Sequence, residues 1–353
     1  MPMGNKASSV YVIGEIGQNH NGSVDLAKLL VELSAMPVKE SLFGRNYKSL
    51  DAVKLTKRDL NQELSASMMR EPYVNTNSFG ATYGEHREVL ELNDEEHFEV
   101  YKHAKKFGLD FVETLCAPGC TSLLKLFTPD YLKVASRDLT NIPLLEVLAE
   151  TKIPIIVSTG MADQEELDHA LTAINRYHSN ISILHCVSEY PTKPENTNLN
   201  TINFLLKEYG QYVIGYSDHT VGIMAPVAAV AMGAKIIEKH ITLNRDLKGT
   251  DQRGSLGPEG IHRMMRDLRM LSESMGNEEI FICEDTKSSR RKLERSLATR
   301  RDMKVGEVIS ENDLWMLSPG DGFRWRERTE IIGKQLNVDL PANEIIYPNH
   351  LKG

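Results

Sequence analysis

Short runs of apolar and β-branched residues recur eight times along the chain. They are "VYVIGEIG" (10–17), "AVKLT" (52–56), "LDFVETL" (109–115), "YLKVAS" (131–136), "PIIVST" (154–159), "SILHCV" (182–187), "VIGYSDH" (213–219) and "KIIEKHIT" (235–242). Their apolar character is continuous rather than alternating, which suits strands buried on both faces of a parallel sheet. Segments of helical periodicity lie between them. "NDEEHFEVYKHAKKFG" shows the signals most fully, with Asn93 or Asp94 as a cap, acids in the first turn, lysines in the last and Gly108 beyond. The segment after Cys116 carries the weakest helical pattern. Strand and helix in alternation imply parallel βαβ units with right-handed crossovers. Eight such units in about 275 residues is the size of a (β/α)₈ TIM barrel, an α/β fold. An open doubly wound sheet is the competing arrangement.

Two stretches break the rhythm. Between Lys57 and Asn93, "REPYVNTNSFGATYGEHREVLEL" is rich in Asn, Gly, Tyr and charge. It reads as an extended loop over the C-terminal end of the second strand, and long loops in compact domains are usually functional or mobile. From about Asp285 the texture changes to a polar, basic run and then to short strands with Gly- and Pro-rich turns. The expected organisation is a barrel over 1–280, a linker over 281–294 and a small β-rich domain over 295–353.

Composition excludes several classes. Of 353 residues, 41% are hydrophobic and 25% charged, as in ordinary soluble globular proteins. A net charge of −8 argues against nucleic acid as a partner, although local lysines can still gather a small anion. No apolar run reaches the length of a membrane span, and "MPMGNKASS" has no apolar core for a signal peptide. The cysteines Cys116, Cys120, Cys186 and Cys283 lack paired metal-ligand spacing. Zinc or redox work by Cys116 and Cys120 is one reading. Reduced thiols in a cytoplasmic protein are the simpler one.

In such a barrel the active site lies at the C-terminal ends of the strands. The polar residues there are Glu15, Lys54, Thr114, Lys133, Ser136, Asp138, Ser158, Ser188, Tyr190, Ser217, His219 and His240, with Asp251 further on. Taken singly, each has a plain explanation as a satisfied polar group. Together they are harder to dismiss, because burying unpaired charge costs several kcal/mol. Lys54 and Lys133 with the hydroxyls suit a phosphate and a carboxylate. His219 and His240 on adjacent strands suit one divalent metal, with Mn, Fe, Co and Zn all open. Glu15 and Asp138 are candidates for orienting water or moving a proton. His20 stands in the turn after the first strand. Glu238 and Lys239 read as an ordinary ion pair.

"GEIGQNHNG", "DAVKL", "LKVAS" with "DLTNIPLL", "STGMA", "LHCVSEYP", "GYSDHTVGI", "VAAVAMGAKIIEKHIT" and "GTDQRGSLGP" together resemble the N-acylneuraminate (sialic acid) synthases. The tail resembles their C-terminal antifreeze-like, or SAF, domain. The resemblance implies condensation of phosphoenolpyruvate with an open-chain N-acyl hexosamine, such as N-acetylmannosamine, in a cytoplasmic domain-swapped homodimer. It implies Mn²⁺, with Mg²⁺ or Co²⁺ as substitutes, on His219 and His240, and Glu15 as the catalytic carboxylate. Lys54, Thr114, Lys133, Ser136, Ser158 and Ser217 match the phosphoenolpyruvate contacts. Ser188, Tyr190 and Asp251 match the sugar and metal side, and Arg295 matches a sugar-contacting arginine. The chain departs from the family in Thr56, where Gln is usual, and in Arg137-Asp138, where Gly-Glu is usual. Both departures bear on the sugar. Arg137 either reaches a substrate phosphate or pairs with a neighbouring acid. Another phosphoenolpyruvate-dependent sugar acid synthase and a non-catalytic carbohydrate-binding protein are the rival functions.

Overall fold

The computed structural model describes residues 10–352, so the polar stretch 1–9, read above as no signal peptide, lies outside the described residues. All eight apolar runs form strands, here β1 (Tyr11–Glu15), β2 (Ala52–Lys57), β3 (Asp110–Leu115), β4 (Tyr131–Val134), β5 (Ile155–Ser158), β6 (Ile181–Cys186), β7 (Val213–Asp218) and β8 (Ile236–His240). They pair in parallel, each with its sequence neighbour, and β8 closes onto β1. The open sheet is thereby ruled out, and the fold is a (β/α)₈ barrel.

A small apolar layer plugs the barrel. Ile13, Ala52, Val112, Ile156, Leu184 and Ile236 pack on one another in its interior, with Tyr11, Tyr131 and Val213 against them. A far larger cluster joins the outer faces of the strands to the helices. Side chains alternate faces along a strand, so two residues beyond the plug the same interior face turns polar. Ile13 leads to Glu15, Ala52 to Lys54, Val112 to Thr114, Tyr131 to Lys133, Ile156 to Ser158 and Ile236 to Glu238. One periodicity thus sets both the dry floor and the charged layer above it.

The helices follow the expected caps. Asn93 caps Asp94–Lys106 in a reciprocal box with Glu96, and Asp163 does the same for Gln164–Asn175 with Glu166. The weak segment after Cys116 is a run of 3₁₀ turns, Pro118–Lys125. One expectation needs correction. The stretch 70–92 is not loop throughout, because Tyr83–Leu90 is a helix whose Thr82 and Glu85 form a capping box. That Thr-x-x-Glu signal was present in the sequence. A two-stranded hairpin, Val38–Glu40 with Arg45–Tyr47, also interrupts the first crossover.

The turn after β1 serves structure as much as chemistry. Asn19 donates from Nδ2 to the Ile241 carbonyl and to Ser255 Oγ, both at 2.8 Å, tying this turn to the chain beyond β8. His20 does not face the barrel mouth chemistry proposed for its neighbour Glu15. It is buried, and its Nδ1 accepts from the Gly22 amide at 3.1 Å. Gly22 has φ +74, and a Cβ there would come within 2.1 Å of the Val89 carbonyl oxygen.

Contacts divide the chain into two units, Met1–Gly276 and Asn277–Gly353. Within the second, Ser296–Thr299 pairs antiparallel with Leu314–Leu317 over its own core, which includes Leu297, Leu314, Ile331, Leu336 and Ile346. The expected linker 281–294 contains a short helix, Lys287–Leu293. No helix among the described residues is long and apolar enough to cross a membrane.

The His20 environment gives a pH test. Burial, with the His97 ring adding to it, pushes the His20 imidazole down to about 3. In the unfolded chain it titrates near 6.5, so the unfolded state takes up the proton first and stability falls as pH drops from about 6.5 towards 3. His20→Asn keeps an acceptor for Gly22 and cannot titrate. Urea unfolding at pH 7 and pH 5 should show the native protein losing about 2 kcal/mol more than the variant over that interval.

Candidate active site

Above the apolar plug, Lys54 rises from β2 between two carboxylates. Its Nζ lies 2.9 Å from Glu15 Oε2 on β1, 3.4 Å from Glu238 Oε1 on β8 and 3.4 Å from Thr114 Oγ1 on β3. All four are buried. Burial alone would drive both carboxyls to the neutral form, but they diverge. Glu15 is pushed up to about 7 by burial, against the pull of Lys54. Glu238 also feels burial, yet Lys54, Lys133 and the Ser217 hydroxyl, which donates to it at 3.0 Å, hold it down at about 2. Glu238 therefore carries the standing negative charge, whereas burial holds Glu15 nearer to its neutral form.

Glu238 is the residue that reading Glu238-Lys239 as an ordinary ion pair misplaced. The two are adjacent on β8 and point to opposite faces. If His240 faces the interior, Glu238 must do so too, and Lys239 must face out; that parity was available in the sequence. Lys239 instead meets Asp218 at 2.5 Å between strand and helix layers, where both are almost wholly buried. Asp218 also accepts from Tyr216 Oη at 2.9 Å and from the Thr220 amide at 2.8 Å, while Lys239 also donates to the Thr220 carbonyl. This satisfied pair clamps the turn that carries His219.

On the opposite side of the layer Lys133 Nζ donates to Ser158 Oγ at 2.6 Å and to the Val134 carbonyl at 2.8 Å. Ser136 Oγ accepts from the Gly160 amide at 3.0 Å. A Cβ on Gly160 would lie 2.5 Å from Ser188 Oγ, 2.8 Å from Ser136 Oγ and 2.9 Å from Cys186 Sγ. Glycine there lets three polar groups converge on one spot. Lys54, Lys133 and these hydroxyls form a cradle for an anion with several oxygens.

His219 and His240 do come together. Their ring centroids are 5.4 Å apart, with the Tyr190 ring tilted against His219 at 4.1 Å. His219 Nδ1 lies 3.0 Å from the Val187 carbonyl, which can only accept, so the proton sits on Nδ1 and the lone pair on Nε2. His240 is held below the usual imidazole range, chiefly by burial, and its buried Nδ1 has no hydrogen-bond partner. Two imidazoles at this spacing fit a cation with metal–nitrogen bonds of about 2.0–2.1 Å. Among the described residues no group of three or more His, Cys, Asp or Glu is arranged to hold an ion.

These residues line one cavity of about 490 Å³, together with Thr114, Ser136, Ser158, Ser188, Ser217 and Asp251. Asp138 does not line it. It stands behind Arg137, whose Nε is 3.5 Å from Asp138 Oδ2. Arg137 itself lines the cavity, donates to Cys116 Sγ at 3.0 Å and lies 3.5 Å from Glu63. It pairs with neighbouring acids, the second of the two roles open to it. Cys116 is engaged by this arginine, and burial raises the pKa of both Cys116 and Cys120, to about 12 and about 11, which suits inert thiols rather than a redox pair. Arg295 lies in the second unit, exposed, with Nη1 3.4 Å from the Met316 carbonyl. Residues of the 57–93 segment that strand-end reasoning could not place also form the wall, among them Arg58, Tyr73, Tyr83, His86 and Arg87.

Known proteins bear on this site over the whole chain. The N,N'-diacetyllegionaminic acid synthase of Legionella pneumophila is 33% identical over 97% of this chain and 94% of its own length. The N-acetylneuraminate-9-phosphate synthase of Homo sapiens is 29% identical over 95% and 91%. A solved structure of an N-acetylneuraminic acid synthetase from Leptospira borgpetersenii, in complex with citrate, superimposes with a TM-score of 0.66 at 28% identity, covering 80% of this chain and 90% of that one. The NeuB family model matches residues 47–280 and the SAF domain model residues 294–352. The barrel, its charged mouth and the extent of these similarities place the chain among the enzymes of the NeuB family, with a C-terminal SAF domain.

Proposed function

We propose that this enzyme condenses phosphoenolpyruvate with the open-chain form of an N-acyl hexosamine, giving a nine-carbon 2-keto sugar acid and inorganic phosphate. The observation that carries the reading is the single layer in which Lys54, Lys133 and their hydroxyls face the His219–His240 pair across one cavity. The names of the relatives support the product class. An anion cradle beside an open cation site is what joining an anionic enol ester to an aldehyde requires.

His219 and His240 would hold a divalent cation, Mn²⁺ or a similar ion, which supplies a Lewis acid for the aldehyde oxygen. The chain's own residues do the rest. Lys54 and Lys133, with Ser136 and Ser158, fix the phosphate and carboxylate of phosphoenolpyruvate, so the two reactants meet as an effectively unimolecular pair. The methylene carbon of phosphoenolpyruvate bonds to the aldehyde carbon, and positive charge develops at the carbon that bears the phosphate. Glu238, held anionic, lies beside Lys54 in that layer and offsets the charge. Water adds at the same carbon. Glu15, poised near neutrality, takes a proton from that water, which balances the proton gained by the former aldehyde oxygen, and the carbon–oxygen bond to phosphate breaks as the new hydroxyl becomes the ketone and its proton leaves with phosphate. Tyr190 covers the histidine pair.

A panel of N-acyl hexosamines with phosphoenolpyruvate and Mn²⁺, read by product mass and phosphate release, tests the reading. At least one acceptor should give a sugar acid heavier by the pyruvate unit; none doing so would remove it. Glu15→Gln should retain phosphoenolpyruvate binding and lose about 10²–10⁴ in kcat, the usual worth of a positioned base. Lys54→Met tests the charge layer itself. It leaves Glu15 and Glu238 facing one another without their cation and should cost roughly 3–5 kcal/mol in urea unfolding at pH 8. Adding Glu238→Gln should recover much of that stability without restoring phosphoenolpyruvate binding. Equal stability of Lys54→Met and the native chain would contradict the ion-pair assignment.

A further inference from the structure

The cations of the cavity wall are not equally engaged. Lys54 sits between Glu15 and Glu238. Arg58 lies 2.5 Å from Glu63 and 3.4 Å from Glu91, and Arg137 reaches Glu63 and Asp138. Arg87 is different. It lines the same cavity, is half-buried, and has no carboxylate within 4.0 Å among the described residues. Its guanidinium carbon stands 4.8 Å from the centroid of the Tyr83 ring, and Nη2 donates to Tyr83 Oη at 2.5 Å. The plane is therefore held while most of its N–H groups stay uncommitted.

A second cation completes the pattern. Lys248 Nζ lies 4.7 Å from the centroid of Phe79, again with no carboxylate within 4.0 Å among the described residues. Both aromatic platforms pack against the buried His86. Phe79 stacks on it at 5.8 Å and donates its amide to His86 Nδ1 at 3.1 Å, while Tyr83 lies at 6.3 Å. Arg87 and Lys248 are both near enough to add to the burial that keeps this imidazole neutral, and Asp251 faces the same ring with opposite effect. The Arg87 helix and Phe79 belong to the segment that follows β2, beyond the strand end that carries Lys54. Tyr83, His86 and Arg87 line the cavity from this segment, whereas the condensation proposed above would take place at the strand-end residues.

We propose that Arg87, assisted by Lys248, forms a second anion subsite that selects an N-acyl hexosamine bearing a phosphate monoester at the end remote from its aldehyde. The inference rests on the condensation proposed above. A neutral sugar terminus would leave a half-buried guanidinium without a counter-charge, whereas a phosphate accepts two parallel N–H bonds from the fixed fork. The phosphate is not touched by the reaction, so the product retains it. A sugar kinase must supply this substrate and a phosphatase must act on the product if a free sugar acid is the end point.

The test uses the full-length protein with Mn²⁺ and phosphoenolpyruvate. The acceptors are N-acetylmannosamine, its 6-phosphate, and the matching 6-carboxylate, which the same fork could also hold. The ratio of kcat/KM for the 6-phosphate over the free sugar should be about 100 or more, and Arg87→Met should lower that ratio by about 100-fold, the scale of losing a charged, bidentate contact in a built site. Arg87→Lys should keep part of the preference, which separates lost charge from lost folding; thermal unfolding of each variant checks the fold. A native ratio at or below one, a preference for the carboxylate, or a ratio unmoved by Arg87→Met would overturn the subsite. If the free sugar turns over and its phosphate does not, this inference alone falls. If no acceptor consumes phosphoenolpyruvate, the condensation reading falls and takes the subsite with it.

Discussion

Lys54 is the constraint around which the barrel mouth is arranged. A buried ammonium is tolerable only with counter-charge in contact, and the closed sheet provides it from two strands. β1 contributes Glu15 and β8 contributes Glu238, two strands that are neighbours only because the barrel closes. The same closure brings the interior residues of eight strands to one level. The apolar plug beneath keeps that level dry from below, which strengthens every charge interaction above it. Breaking the trio from either side strands a charge in a low-dielectric layer. The layer is thus both a liability for folding and the reason the site can grip anions.

The outer face of the same strands answers a second problem. A histidine at a strand end is only as well placed as the turn behind it. Asp218 and Lys239 form a buried ion pair that also takes up the Thr220 backbone and the Tyr216 hydroxyl. Because the pair is saturated with partners, it has few alternative arrangements, so it fixes His219 next to His240. β8 therefore supplies a site carboxylate, a clamp and a ligand candidate in three successive residues, Glu238, Lys239 and His240. Alternation alone separates the roles.

Much of this was legible in the chain. The eight runs, their parallel order and the mouth residues follow from continuous apolar strands ending in polar groups, because a (β/α)₈ barrel puts all strand C-termini at one end. The failures have physical causes. Glu238 is disguised in the sequence because adjacent opposite charges suggest a pair, while strand parity forbids those two side chains from meeting. His20 carries a reactive side chain, yet it is spent on satisfying the Gly22 amide in a crowded turn, and no local pattern distinguishes that use from catalysis. The Tyr83–Leu90 helix was masked by the Asn-, Gly- and Tyr-rich stretch before it, although its capping box was readable. Arg87 could not be singled out at all. Whether a guanidinium is paired depends on which carboxylates the fold brings near it, and sequence spacing does not report that.

This contrast suggests how the molecule divides its chemistry. The strands deliver a floor in which each cation already has its partner or its hydroxyls, and so its geometry is fixed before any ligand arrives. The segment after β2 delivers a wall in which Arg58 is matched by Glu63 and Glu91, but Arg87 has no carboxylate within 4.0 Å among the described residues. Loops tolerate change because few contacts constrain them, so a family can keep one condensation on its strands and alter the acceptor through such a wall. An uncompensated, half-buried cation is costly to the free protein. It persists most readily where a ligand supplies the missing charge, which is the physical ground for proposing selectivity at the mouth and bond-making at the floor.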